Sequence, residues 1–250
     1  MTAASMSSKT PQAPDRWFGT DGIRGVAGEG VLTPSAVTKI GRALARFAGA
    51  GADGPVRILV AGDPRPSTPE IVARLTGAML AEGALVTAIG IVPTPALAWS
   101  AVSGEYDLGV MVSASHNPPE YNGIKPFHRS GRKLTEAEEH EVEAHIAAAD
   151  GTAEAVEPPV DMKAPKRYVQ ATASWLAEAG RLDGMRVVVD CAAGASTTTG
   201  PAVLEALGCD VTVLNEAGSR AINDGCGTQH PEEWLDAVRS AAPDVGIAFD

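Results

Sequence analysis

The sequence predicts a layered α/β protein with mixed sheets, built from one complete N-terminal domain and an incomplete second domain of similar type. Short apolar runs typical of buried strands alternate with segments of helical periodicity along most of the chain. Glycine is frequent, at 27 residues, and aromatic residues make up only 4%; both suit tight strand-to-helix turns and an aliphatic core. One strand returns after a short loop, which indicates an antiparallel pair within a mixed sheet.

Length and charge restrict the possible functions. The chain has 250 residues, enough for one large or two ordinary domains. Its formal net charge of −11 argues against nucleic acid or a membrane as partner, because both need a basic surface. A small anionic substrate remains compatible if Arg and Lys side chains cluster locally. The sequence leaves the oligomeric state open.

The cysteines and the N-terminus predict a cytoplasmic protein. Cys191, Cys209 and Cys226 are odd in number and lack CxxC spacing, which favours free thiols in a reducing compartment. Residues 1–15 are small and polar and lack the apolar core of a signal peptide. We expect them to form a disordered tail. No apolar run approaches the roughly 20 residues of a membrane helix.

Residues 16–155 are expected to form the first domain. Thr33 is the predicted N-cap of its first helix, which has proline at the first helical position. The second helix should bury Ile71, Leu75 and Leu80. Strands are predicted at 56–60, 84–92, 108–112 and 124–127, and later helices at 68–83, 93–102 and 134–150.

Residues 150–166 lose periodicity and gain proline, so we predict a domain boundary there. The second domain, 166–250, repeats the α/β rhythm. Helices are predicted at 168–179, 201–207 and 231–241, and strands at 185–190, 209–214 and 245–249. Because the chain stops at a strand end, at Asp250, we expect this domain to be truncated.

Residues 17–25 form the first polar segment of interest. Three glycines in nine residues, with Thr20, Asp21 and Arg24, predict a tight turn whose N–H groups can bind an anion. The Arg24 guanidinium would suit phosphate. Taken alone, the segment is better explained as an edge hairpin with an ordinary surface arginine.

The strand at 108–112 leads into residues 113–120, here called the Ser115 loop. Two prolines end any regular structure there, and such a loop can hold a hydroxyl at the mouth of a cleft. We hypothesise that Ser115 is a covalent phosphoryl carrier. His116 is adjacent to Ser115 and cannot form a catalytic pair with it, and no GxSxG elbow is present. A polar turn beside Lys125 explains the residue types equally well.

These segments resemble the α-D-phosphohexomutase family. Ser-Ala-Ser-His-Asn-Pro at 113–118, with Asn-Gly-Ile-Lys at 122–125, closely resembles the active-site loop of the family, and 18–25 resembles its N-terminal motif. The residue sequence of these motifs is closest to the phosphoglucosamine mutase branch. The segment at 223–232 is similar to another motif of that branch, and 246–250 to the approach to the metal loop.

The resemblance implies transfer of a phosphoryl group between the 1- and 6-positions of an amino sugar phosphate. Ser115 would carry the group, and Arg24 and Lys125 would handle charge and protons. His116 would help to shape the loop. The resemblance further implies Mg²⁺, held by phosphorylated Ser115 and three aspartates, of which this sequence contains only Asp250.

Family members also have a third and a fourth domain, which select the sugar and bind its second phosphate. Neither is in this sequence, so we expect an N-terminal fragment that has negligible activity alone. A phosphomannomutase or phosphoglucomutase remains an alternative enzyme. A stand-alone sugar-phosphate-binding module is the non-enzymatic alternative.

Overall fold

A computed structural model describes residues 16–250; the predicted disordered tail at 1–15 lies outside the described residues. Eight strands and seven α-helices occur in the described part of the chain. The strands are β1 (Ile23–Val26), β2 (Arg57–Gly62), β3 (Leu85–Ile91), β4 (Leu108–Val112), β5 (Tyr121–His128), β6 (Arg186–Asp190), β7 (Asp210–Leu214) and β8 (Val245–Ala248). The helices are α1 (Pro34–Gly49), α2 (Thr68–Ala81), α3 (Thr94–Ser103), α4 (Glu136–Ala147), α5 (Ala164–Ala177), α6 (Gly200–Ala206) and α7 (Pro231–Ala241).

The first sheet has the strand order β1-β5-β4-β2-β3 and is mixed, as predicted. Strand β2 runs parallel to both β3 and β4, whereas β5 is antiparallel to β4 and to β1. The α/β class and the returning strand are therefore confirmed. The second sheet has the order β7-β6-β8 and is parallel throughout.

Helices cover both faces of the first sheet. Along β2, Ile58 and Val60 pack with α1, α2 and α4, whereas Leu59 and Ala61 pack with α3 and the start of α5. All four side chains are at most 2% exposed. Because strand side chains alternate between faces, this continuous apolar run is what a strand buried on both sides requires.

Local sequence signals account for the helix starts. Thr33 Oγ1 accepts from the backbone N–H of Ala36, as predicted for an N-cap. Helix α4 begins with a capping box in which Thr135 and Glu138 bond each other's backbone N–H groups. Helix α5 begins at Ala164, earlier than the predicted start at 168.

None of the helices in residues 16–250 is long and apolar enough to cross a membrane.

The predicted buried face of α2 was wrong at one position. Leu80 is 41% exposed, and Met79 is fully buried in its place. Ile71, Leu75 and Met79 follow each other at four-residue spacing and share one side of the helix. Leu80 lies one residue further on, which turns its side chain away from that face.

The predicted boundary region packs against the first sheet in part. Residues 153–161, the edge segment, run beside β3: the backbone N–H of Ala88 donates to Pro159 O, and that of Asp161 donates to Ala88 O, both at 2.8 Å. Val156 N donates to Ala73 O on α2 at 2.9 Å. The segment therefore covers part of the open edge of the sheet.

Replacing Gly77 on α2 by alanine tests this packing. Helix propensity alone favours alanine by about 1 kcal/mol, but the added methyl group would overlap the carbonyl oxygen of Glu154 in the edge segment. We expect the free energy of unfolding to fall by about 1–3 kcal/mol in a denaturant titration. Gly54→Ala is the matched control, because a methyl group there meets open space. A more stable Gly77→Ala variant would contradict the packing.

Candidate active site

The Ser115 loop leaves β4 in a strained conformation. Ser115 has φ of 55°, in the left-handed region that non-glycine residues seldom adopt. Its backbone N–H donates to Ser113 Oγ at 3.1 Å, and Ser113 N donates to Gly123 O on β5 at 3.0 Å. These bonds hold the turn in place, as expected where backbone strain serves a site.

A buried arginine, Arg65, organises the interior of the loop. Its side chain is fully buried, and Nε donates to Asp63 Oδ2 at 2.9 Å. The remaining donors reach four backbone carbonyls, those of Ser115 at 2.7 Å, Asn117 at 2.9 Å, Tyr121 at 2.9 Å, and Pro118. All five N–H groups of the guanidinium therefore have partners.

Sequence reasoning did not identify Arg65 as a site residue. The signal was present, because residues 63–65 follow strand β2, which is parallel to β4, so that both strands end at the same edge. Asp63 is held there by its backbone N–H to Val112 O at 3.1 Å and by Thr68 Oγ1 to its Oδ1 at 3.2 Å. The loop is therefore anchored to the end of the neighbouring strand.

The structure brings Ser115 and His116 together with Asp250, which follows β8 of the second sheet. Ser115 Oγ donates to Asp250 Oδ2 at 3.1 Å, and His116 Nδ1 lies 3.0 Å from Asp250 Oδ1. The His116 and Asp250 side chains are each about half exposed. The hydroxyl, the imidazole and the carboxylate thus meet at an open surface.

Arg24 and Lys125 lie in a separate group, here called the cation group, which also contains Lys133 and surrounds Asp21. Lys133 Nζ lies 2.7 Å and Lys125 Nζ 3.3 Å from Asp21 Oδ1, and an Arg24 nitrogen lies 4.0 Å from Oδ2. Lys133 was not identified from the sequence. In residues 16–250, neither Arg24 nor Lys125 hydrogen-bonds to Ser115.

The cation group changes the acidity of its members. Hydrogen bonds from Lys133, and then from Lys125, lower the pKa of Asp21 to about 2. Burial is the main cause that lowers the pKa of Lys125, and the positive charge of Lys133 adds to it. Asp21 opposes both effects. Asp21 therefore partly offsets the causes that lower the pKa of Lys125.

The segment at 17–25 forms the predicted tight turn and continues into an edge strand, and its anion-binding role stays a prediction. It contains a tight turn with a bridge between Gly19 and Gly22, and its second half is the edge strand β1. Gly22 has φ of 97°, and a Cβ there would meet the Ile124 carbonyl on β5 at 2.7 Å. Glycine is thus required for the close approach that positions Arg24 beside β5.

A cleft lies between the two sheets and reaches Ser115. It has a volume of about 630 Å³, and its lining includes Asp63, Ser113, Ser115, Asn223 and Asp250. These residues follow β2, β4 and β8 or lie in the loop before α7. The carboxyl ends of parallel strands thus line the cleft, as expected for ligand sites in α/β sheets.

The donors at the cleft partly fit a magnesium ion. Ser115 Oγ and the Asp250 carboxylate supply oxygen ligands, which Mg²⁺ prefers. No group of three or more His, Cys, Asp and Glu side chains within residues 16–250 is arranged to hold a metal ion. This part of the chain therefore offers the oxygen chemistry of a magnesium site with few protein ligands.

Known proteins are similar to this chain over most of its length. Residues 15–153 match the family described as phosphoglucomutase/phosphomannomutase, alpha/beta/alpha domain I. A phosphoglucosamine mutase from Symbiobacterium thermophilum is 39% identical over 242 residues, 94% of this chain and 54% of that protein. One from Moorella thermoacetica is 40% identical over 244 residues, 93% of this chain and 53% of that protein. The chain thus spans about half the length of the curated relatives it matches.

A crystal structure of a phosphoglucomutase/phosphomannomutase family protein from Burkholderia thailandensis is similar, with a TM-score of 0.70 and 26% identity. The similarity covers 91% of this chain and 51% of that one. The family match covers more than half of this sequence and includes the Ser115 loop. The chain therefore belongs to the phosphoglucomutase/phosphomannomutase family, within the α-D-phosphohexomutases that its motifs resemble.

Proposed function

We propose that this chain contains the phosphoserine site of a phosphoglucosamine mutase, which interconverts glucosamine 6-phosphate and glucosamine 1-phosphate. The observation that carries the proposal is the contact of Ser115 Oγ with Asp250 at the cleft, from a loop that Arg65 holds in a strained conformation. The names of the relatives support the amino sugar as substrate.

Ser115 acts as the carrier in a two-step transfer. The bond between Ser115 Oγ and phosphorus breaks as a sugar hydroxyl oxygen bonds to phosphorus. The hydroxyl proton leaves to a base, and Ser115 Oγ, which keeps the electron pair of the broken bond, takes up a proton. The bisphosphorylated sugar then reorients, and Ser115 Oγ takes the other phosphoryl group by the reverse step. The rigid loop supplies positioning, which together with electrostatic stabilisation accounts for most of catalysis in phosphoryl transfer.

The remaining predicted residues have proposed roles around Ser115. Ser115 and Asp250 would hold Mg²⁺, which when bound neutralises charge on the phosphoryl oxygens. His116 orients the Asp250 carboxylate through Nδ1. Arg24 offsets phosphate charge, and Lys125, whose pKa burial lowers, is the candidate to accept or return the hydroxyl proton.

The domain division is part of the proposal. We assign residues 16–155 to the first domain and 166–250 to the second, which is supported by two sheets that share no strand.

The proposed location is the cytoplasm. Three buried cysteines that form no disulfide support a reducing compartment.

A phosphomannomutase or phosphoglucomutase is the second candidate, favoured by the name of the matched family. Turnover of glucosamine, mannose and glucose phosphates by the natural protein, meaning the protein isolated from its source organism, distinguishes the two candidate enzymes. Preference for mannose or glucose phosphate would replace the proposed substrate. Binding without turnover of any of them would favour the non-enzymatic module.

The carrier role predicts a phosphate on Ser115. Intact-mass analysis of the natural protein should show one phosphoryl group, and Ser115→Ala should remove both this mass and mutase activity. Ser174→Ala is the matched control, because Ser174 is exposed on α5 and is not among the residues that line the cleft. Phosphate or turnover that survives in Ser115→Ala would contradict the role.

Asp21 raises the pKa of Lys125 against the lowering caused by burial and by Lys133. In Asp21→Asn, the ammonium loses its nearest carboxylate while burial and Lys133 still act on it, so the pKa of Lys125 should fall further below its ordinary value. NMR titration of the Lys125 side chain measures this change. Glu70→Gln, which removes an exposed carboxylate on α2, should leave that pKa unchanged. An unchanged or higher pKa in Asp21→Asn would refute the arrangement.

The Arg65 contacts predict that lysine cannot replace arginine there. Lysine has three N–H donors and no planar fork, so Arg65→Lys leaves buried carbonyls of the Ser115 loop without partners. We expect a loss of about 2–4 kcal/mol in the free energy of unfolding, measured by denaturant titration. Arg239→Lys, at an exposed ion pair with Asp236, should change it by less than about 0.5 kcal/mol. Equal losses in both variants would contradict the role of Arg65.

A further inference from the structure

We propose that Asn223 is a positioning residue that fastens the Ser115 loop to the second sheet and so sets Ser115 Oγ against Asp250. The inference rests on the proposed function of Ser115. Its side-chain Nδ2 donates to Ser115 O at 2.8 Å and to Asn117 O at 3.1 Å. Both N–H bonds of the carboxamide are thus used. Since both partners are carbonyl oxygens, only the amide nitrogen can face them.

The two carbonyls that Asn223 contacts are also held by Arg65. Ser115 O accepts from Arg65 at 2.7 Å and Asn117 O at 2.9 Å. Each carbonyl oxygen has two lone pairs and therefore accepts one bond from each side. The loop is therefore hydrogen-bonded on one side by Arg65, which follows β2 of the first sheet, and on the other by Asn223, which lies beside the second sheet. Without Asn223, Arg65 would orient the loop only relative to its own sheet.

Asn223 is itself rigidly placed. Its φ of 62° lies in the left-handed region, which asparagine tolerates better than most residues. Its backbone N–H donates to Ala192 O at 2.9 Å. The fully buried Asp190 carboxylate, at the end of β6, accepts from the backbone N–H groups of Ala192 at 2.9 Å and Gly227 at 2.8 Å. These bonds fix both ends of the short segment that presents Asn223.

Asp190 also fixes the other side of the Ser115 contact. Its backbone carbonyl accepts from Phe249 N at 2.9 Å, directly before Asp250. Asn223 and Asp250 are therefore both positioned by hydrogen bonds at the end of β6. Two bonds to loop carbonyls and one bond from Ser115 Oγ to Asp250 Oδ2 then define how the carrier faces the second sheet.

The test compares Asn223→Ala and Asn223→Asp with Gln229→Ala. The aspartate is nearly the same size but turns an acceptor toward two carbonyls, so it repels the loop without changing packing. Gln229 lies just beyond that segment, before α7, is exposed, and makes no side-chain hydrogen bond in the described part of the chain. Thermal unfolding midpoints identify any variant that has lost its fold, and Asn223→Asp remains informative if Asn223→Ala is unstable.

Hydrogen exchange of the 250-residue chain provides a readout that does not depend on activity. We expect the amides of Asn117 and Tyr121, which bond within the loop, to exchange about tenfold faster in both Asn223 variants, as the loss of about one net hydrogen bond allows. Gln229→Ala should exchange as the parent does. Unchanged exchange in both Asn223 variants would overturn the proposal.

Kinetics of the natural protein separate positioning from mere loop stability. Because Asn223 holds the carrier and not the sugar, kcat should fall about tenfold while KM changes less than about twofold. Faster exchange with unchanged kcat would also overturn the proposal. Failure of the proposed function is a separate result: the parent protein would lack phosphate on Ser115, and the exchange comparison would still decide whether Asn223 holds the loop.

Discussion

The site depends on one buried guanidinium and the carbonyls around it. The Ser115 loop is neither strand nor helix, so its inward-facing carbonyls have no ladder partners, and unpaired buried carbonyls are costly. Arg65 resolves this with five donors, one for Asp63, three for the loop and one for Tyr121 at the start of β5. The loop can therefore keep Ser115 in a left-handed conformation, because the surrounding bonds outweigh the local strain.

The same arrangement explains how two sheets share one site. Hydrogen bonds from Arg65 anchor the loop to the first sheet, and hydrogen bonds with Asn223 and Asp250 anchor it to the second. The bonded groups follow the carboxyl ends of parallel strands or lie in the loop before α7, so the cleft follows from the topology. A displacement of one sheet relative to the other would change the contact between Ser115 and Asp250 without altering either core.

Charge is distributed unevenly in a way that suits an anionic substrate. The chain carries a net charge of −11, yet Arg24, Lys125 and Lys133 converge on a single carboxylate, Asp21. Asp21 reduces the mutual repulsion of these cations when no other anion is near. The local field, and not the net charge, is what an anion at this surface would meet.

The sequence was sufficient for whatever depends on neighbouring residues. Alternating periodicity, caps such as Thr33, and the apolar run of β2 predicted the class and nearly all elements, because these signals act within one or two turns of chain. The motif at 113–118 likewise indicated Ser115 as the candidate carrier, a role that stays a prediction. Leu80 was misplaced because apolar residues at 79 and 80 both suit a helix, and only the direction of the packed face separates them.

The partners of the site residues required the folded chain. Arg65 meets the Ser115 carbonyl across 50 positions of sequence, and Asn223 meets it across 108. Lys133 reaches Asp21 across 112. No local pattern encodes such contacts, since they depend on which strands are adjacent and where each one ends. Burial also alters the acidity of Lys125 only after packing, so residue type identified the candidates, and three-dimensional proximity set their chemistry.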